Sequence, residues 1–215
     1  MSLVEIEHAT DGVRRLRLNR PEKMNALHKP LRERIAQAVE EAESDGVKVV
    51  VFEGAGDAFC AGADVDEPEE DAAEKETYME MMRVNRRFSG VVIGKLHGHV
   101  IGGGLTLALS FDLRYAEADT TFSLPEARYG YPFSPPTWKL LPLVAGEGRA
   151  RELILTGRKV SATEAAEMGL VTSVHDSGTL DEAVMDVATD FVENVPKSGI
   201  DSNKRGLNAA VPIDW

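Results

Sequence analysis

Two short apolar runs, KVVVFEG (48–54) and VVIGKL (91–96), restrict the folds open to this chain more than any other feature. Each is rich in β-branched residues and has no apolar–polar alternation, so each predicts a strand covered on both faces. Between and around them the apolar period changes. Leu31, Ile35, Ala38, Val39 and Ala42 recur at helical spacing, with Gly46 placed to stop the helix. Residues 3–8 and 13–19 read as two strands about Asp11-Gly12, a dipeptide that accepts the positive φ angles of a tight hairpin. An acidic stretch (66–76) opens a polar helix running to about Phe88. Beyond it, 102–110 reads as a helix entered through glycines, 112–116 as a strand and 163–169 as a helix. A short strand over 170–174 and a helix over 180–195 follow. This alternation of strands and helices predicts an α/β architecture.

A chain of 215 residues, 43% of them hydrophobic, suffices for one domain with a substantial core, and no repeat or linker divides it. Asp and Glu total 36 against 24 Lys and Arg, a formal charge of −12 that repels nucleic acid and anionic membranes. Neither is expected as a partner. No stretch approaches the roughly 20 apolar residues of a membrane span, and charges interrupt the opening residues, so a cytoplasmic location is expected. Cys60 is the only cysteine, which excludes an internal disulfide and fits a reducing compartment. A polyanionic ligand would need locally placed Arg and Lys, or helix N-termini, to bind against the overall field.

Three stretches carry candidate chemistry. In IGGGLTLAL, Gly102 to Gly104 remove every Cβ where the backbone enters a helix, so a ligand oxygen can approach amides that lack intrahelical partners. Close packing of helix on strand explains the same glycines. In GAGDAFCAGADV (54–65), Ala61, Gly62 and Ala63 let another chain pass against the backbone, and Asp64 can cap the following turn. The loop is neither a dinucleotide fingerprint nor a P-loop. In SLPEARYG, Glu126 opens a helical turn, a position that carboxylates also favour on electrostatic grounds alone. His97 and His99 would share one face of a strand, yet no third ligand accompanies them, so no metal is expected. Ser110 and Ser123 lack a nucleophile-elbow context. Cys60 reads as a small packed residue, and Met79, Met82 and Phe88 as core more than as pocket lining.

Taken together and in order, NRPEKMNAL (19–27), FCAGADV (59–65), the glycine triplet, FSLPEARYG (122–130) and LTGRKVSATEAAEMGLV (155–171) resemble the crotonase superfamily, the enoyl-CoA hydratases and isomerases. The resemblance spans roughly residues 4–207. It implies a crotonase-like α/β fold, a repeated ββα spiral core with flanking helices, over residues 1–195, and the start of a C-terminal helical segment over 196–215. It also implies an acyl-CoA thioester substrate, with coenzyme A as part of that substrate and no separate cofactor.

Carried onto this sequence, the family's oxyanion hole falls on the amides of Ala63 and Gly103, and its acid/base glutamate on Glu126. Ala61, Ala63, Asp64 and Val65 fall where the backbone receives the adenine, and Ala26 lies in the CoA-binding loop. Hydratases of the family carry a second glutamate where this chain has Thr106, which can hold a water but cannot exchange a proton near neutral pH. They also carry a Gly-Gly pair where this chain reads YPFSPPTW (131–138). Both departures favour an enoyl-CoA isomerase working with one glutamate. Hydration is the second reading, and a non-catalytic acyl-CoA-binding relative the third. The family's C-terminal helices imply a homo-oligomer, trimer or hexamer. The sequence ends at Trp215, some 40 residues short of where those helices finish, so none of their residues is carried over.

Overall fold

Strands form where the sequence concentrates β-branched and aliphatic residues, and the computed structural model describes residues 2–64, 66 and 72–211. β1 (Val4–Thr10) and β2 (Val13–Leu18) make the antiparallel hairpin about Asp11-Gly12, with Val4 opposite Leu18 and Ile6 opposite Leu16. α1 (Lys29–Ser44) then returns the chain so that β3 (Val49–Gly54) can pair in parallel with β2. Next come α2 (Ala72–Arg87), β4 (Val91–Leu96), β5 (His99–Ile101), α3 (Gly103–Leu109), β6 (Leu113–Glu117) and β7 (Thr121–Ser123). The remaining elements are α4 (Pro135–Ala145), α5 (Glu147–Thr156), β8 (Lys159–Ser161), α6 (Ala162–Glu167), β9 (Ser173–His175), α7 (Leu180–Asn194) and α8 (Lys197–Ala210).

One sheet has six strands in the order β1-β2-β3-β4-β6-β9, and a smaller one joins β5, β7 and β8. The passes through β4-β5 and β6-β7 each lay one strand in the long sheet and one in the short sheet before a helix turns the chain back, and in the last pass α6 separates β8 of the short sheet from β9 of the long one. The pass through β3 does the same in reduced form, because the loop after it touches the short sheet through a single parallel bridge between Cys60 and Val100. This is the repeated ββα spiral of the crotonase fold.

The continuous apolar runs are explained by burial on both faces. Val50, Phe52 and Val92 pack in one cluster with Leu31, Ile35 and Met81 from the helices, and Phe52 stacks on Phe111 at 4.7 Å between ring centroids. Val49, Val51, Val91 and Ile93 point the other way, onto Leu180, Val184 and Ala188 of α7. The first turn of α7 is fixed to the sheet by Asp181, which accepts from Arg15 at 2.8 Å and also pairs with Lys95. At the far end, Lys204 of α8 is buried and donates to the carbonyls of Asn85 and Gly90, each at 3.1 Å, and to Asp112 at 2.7 Å.

The last strand differs from the 170–174 expected. Leu170 and Val171 are buried, and the Leu170 carbonyl is taken by Arg114 Nε at 2.7 Å, so pairing with β6 begins only where Ser173 meets Tyr115. Met82 and Phe88 are core residues, and Met79 is partly buried against the same cluster. No described helix is long and apolar enough to cross a membrane.

Candidate active site

The site is assembled from three loops that one buried amide side chain holds together. Asn25 is fully buried at φ 56° and its Nδ2 reaches the carbonyls of Ala55 (2.9 Å), Ala58 (2.8 Å) and Phe59 (3.1 Å). Its Oδ1 accepts the Arg20 N–H at 2.9 Å, so residues 20–25 and 55–59 are bound as one unit. The backbone continues the clamp. Ala61 N donates to Met24 O at 2.9 Å, Leu27 N to Gly62 O at 2.8 Å, and Ile101 N to Cys60 O at 3.0 Å. Segments 24–27, 60–63 and 99–103 therefore lie side by side.

That arrangement brings two amides to one place. An ideal Cβ on Gly62, at φ 95°, would stand 2.9 Å from the Gly103 nitrogen, and one on Gly103 would stand 3.4 Å from the Ala63 nitrogen. Among the described residues, neither the Ala63 N–H nor the Gly103 N–H donates to a protein acceptor. Two neighbouring amides with no protein acceptor, one of them on buried Gly103, mark a place where an external oxygen can be held. α3 has only seven residues, so the amides themselves, more than a helix dipole, provide the donor character.

Glu126 reaches the same place. It begins a 3-10 turn (Glu126–Tyr129), and its Oε1 lies 2.5 Å from where a Cβ on Gly102 would be. Gly102 is at φ 53° and anchors the turn by donating its N–H to Ser123 O at 2.8 Å. Glu126 Oε2 is buried with no hydrogen-bond partner, and burial raises the carboxyl pKa from 4.5 to about 7. Among the described residues it is the one carboxylate whose pKa is raised.

Thr106, the fourth residue of α3, is fully buried. Its Oγ1 is 2.7 Å from Thr137 Oγ1 of α4 and 3.4 Å from the Gly102 carbonyl. Ser134 Oγ lies 3.4 Å from Thr137 Oγ1, and the Tyr78 hydroxyl lies near Thr106 and Ser134. Four neutral hydroxyls, of Thr106, Thr137, Ser134 and Tyr78, therefore gather beside α3.

Of the residues assigned to CoA, Ala26 is buried, Ala61 is half-buried and Ala63 is exposed beside them. Asp64 is 6% exposed and ion-paired with Arg20, and its Oδ1 accepts the Asp66 N–H at 3.1 Å, the turn cap expected of it. Burial acts to raise the Asp64 pKa, but Arg20 and the Asp66 amide outweigh it and hold the carboxyl below the ordinary range. Val65 lies outside the described residues.

His97 and His99 do not share a strand face. Gly98 turns the chain between them, and each is bonded separately, His97 Nε2 with Gly56 O at 2.9 Å and His99 Nδ1 with Thr121 Oγ1 at 2.8 Å. Cys60 is fully buried, with its thiol pKa pushed up to about 12 by burial, so it packs and does not react. A hollow of about 290 Å3 between α2 and α8, bordered by Arg86, Lys204 and Arg205, shares no residue with the site. The sequence reading singled out neither Asn25, which sits within the NRPEKMNAL motif, nor Tyr78, which has no local signal in a charged helix.

The chain is similar to known proteins along almost its whole length. The family model described as enoyl-CoA hydratase/isomerase matches residues 8–211. The 1,2-epoxyphenylacetyl-CoA isomerase of Escherichia coli K12 is 31% identical over 216 residues, covering 95% of this chain and 82% of that protein. The crystal structure of an enoyl-CoA hydratase from Mycobacterium smegmatis superposes with a TM-score of 0.92 at 28% identity, covering 99% of this chain and 84% of the other. A monofunctional enoyl-CoA isomerase from the same organism superposes with a TM-score of 0.86 at 30% identity, covering 98% and 94%. The chain belongs to the enoyl-CoA hydratase/isomerase family of the crotonase superfamily, and it is an acyl-CoA enzyme of that family.

Proposed function

We propose that the protein is an enoyl-CoA isomerase that moves a double bond from the 3 to the 2 position of an acyl-CoA thioester. The thioester oxygen sits between the Ala63 and Gly103 amides. Glu126 removes a proton from C2, and the electron pair passes through the former double bond's partner carbons as a dienolate whose negative charge rests on that oxygen. Glu126, now protonated, returns the same proton to C4, leaving the double bond at C2–C3. No water or redox partner enters, so the atoms balance within the substrate. One amide donor of this kind contributes about 2.7–4 kcal/mol of transition-state stabilisation.

The observation that carries this reading is that Glu126 is the one carboxylate with a raised pKa among the described residues. Glu126 has a pKa of about 7, suited to taking and returning a proton, while Thr106 occupies the hydratase position without a group that can titrate. The mainchain of Ala26, Ala61, Ala63, Asp64 and Val65 receives the CoA adenine in this reading, and the assembly is a homo-oligomer.

Turnover tests it. The isomerase converts a 3-enoyl-CoA to its conjugated isomer and leaves a 2-enoyl-CoA unhydrated. Loss of conjugation in the 2-enoyl-CoA would instead make it a hydratase, and binding without turnover of either would make it a non-catalytic acyl-CoA binder.

A further inference from the structure

The hydroxyl of Tyr78, brought in from α2, stands 3.1 Å from where a Cβ on Gly103 would be, and that same point lies 3.4 Å from the Ala63 nitrogen. A phenol O–H and a backbone N–H thus border one small space over the bare face of Gly103. The hydroxyl's backbone acceptor, the Gly103 carbonyl, is 3.4 Å away, well beyond the roughly 2.7–2.8 Å typical of an O–H···O bond. Its proton is only weakly held there. Tyr78 is 7% exposed, and Thr106 and Ser134 flank its oxygen. Thr106 in turn is held by Thr137 at 2.7 Å.

The geometry points to Tyr78 as a third hydrogen-bond donor of the active site, aimed at the acyl thioester beside the Ala63 and Gly103 amides and oriented by Thr106, Thr137 and Ser134. Thr106, Thr137 and Ser134 are positioning residues in this arrangement. Burial above all, and the nearby charge of Glu126, keep the phenol protonated far above neutral pH, so it acts as a donor and never as a base. The inference rests on the proposed polarisation of a thioester at this site, but not on which acyl-CoA reaction follows. It also gives the hydroxyl cluster a role other than filling the space of a missing carboxylate.

A conjugated aryl-enoyl-CoA such as cinnamoyl-CoA reports the polarisation directly, because its absorption moves to longer wavelength as donors pull charge onto the carbonyl oxygen. Wild-type protein and Tyr78→Phe would be titrated with it, and kcat and KM measured with a 3-enoyl-CoA. The expected result is a smaller red shift in Tyr78→Phe, with kcat lower by about 10- to 100-fold and KM within about threefold of wild type. An unchanged shift with unchanged kcat would overturn the proposal. Should Tyr78→Phe fail to fold, 3-fluorotyrosine at position 78 keeps the hydroxyl and makes it a stronger donor. It is expected to enlarge the shift, and an unaltered shift there would equally overturn the proposal. If the wild type shows the shift but no turnover, the isomerase reading falls and the comparison of shifts still decides Tyr78.

Discussion

Oε1 of Glu126 lies 2.5 Å from the position a Cβ on Gly102 would take, so the carboxylate occupies space that exists only because residue 102 has no side chain. Gly102 is also at φ 53°, where an L side chain is strained. Gly102→Ala is therefore expected to displace Glu126 and lower kcat at least about 100-fold, while destabilising the fold by about 1 kcal/mol or more. Turnover and thermal melting of the purified variant check both parts.

Glu126→Gln keeps the shape of the side chain and removes its titration, so it is expected to lower kcat by about 10²- to 10⁴-fold with acyl-CoA binding retained. In the wild type the base form of Glu126 accumulates as pH rises through about 7, so kcat/KM should climb to that pH and then level. A rate independent of pH between 5 and 9 would remove Glu126 from the chemistry.

The same group makes a stability prediction of definite sign. Its pKa is about 7 when folded against an ordinary 4.5, so between those values the folded state holds a proton that the unfolded chain releases. Stability from this group therefore falls as pH rises from about 4.5 to 7 and is constant beyond. Glu126→Gln removes that loss, so the variant should melt above the wild type at pH 8 and level with it at pH 4.

Asn25→Ala strips the bonds to three loop carbonyls and leaves the Arg20 amide without its acceptor. A loss of about 1–3 kcal/mol is expected for each buried polar group left unsatisfied, seen as a lower denaturant midpoint. Because Asn25 holds the loops that carry Ala26 and Ala61, CoA affinity measured by calorimetry should fall as well.

Lys204→Met removes the buried ammonium that joins α8 to the ends of α2 and β4. Since Asp112 is partly exposed, the expected destabilisation is about 1–3 kcal/mol, less than for a fully buried pair. Hydrogen exchange should show α8 opening more readily, with Glu126 chemistry unchanged.

The long sheet was legible in the sequence because its central strands are buried on both faces, and that leaves a continuous β-branched run such as 49–54. The strands of the short sheet were not. β5, β7 and β8 have three residues each, too few to show a period, and they are strands only because their partners are present. The site divides the same way. Gly102, Gly103, Ala63 and Glu126 are marked by small residues and by a motif, since close backbone approach tolerates few side chains. Tyr78 could not be read, because its helix is charged and the residue it stands over, Gly103, lies 25 positions away along the chain.

The sequence by itself determined the α/β alternation, the family and the residue types from which the chemistry is built, because strand burial and Cβ-free turns are local constraints that each residue must satisfy in place. Only the tertiary structure decided that the Ala63 and Gly103 amides share one space, that burial lifts the Glu126 pKa to about 7, and that four hydroxyls gather around Thr106. Convergence and desolvation belong to segments far apart in the chain, and they exist only once the spiral has closed around them.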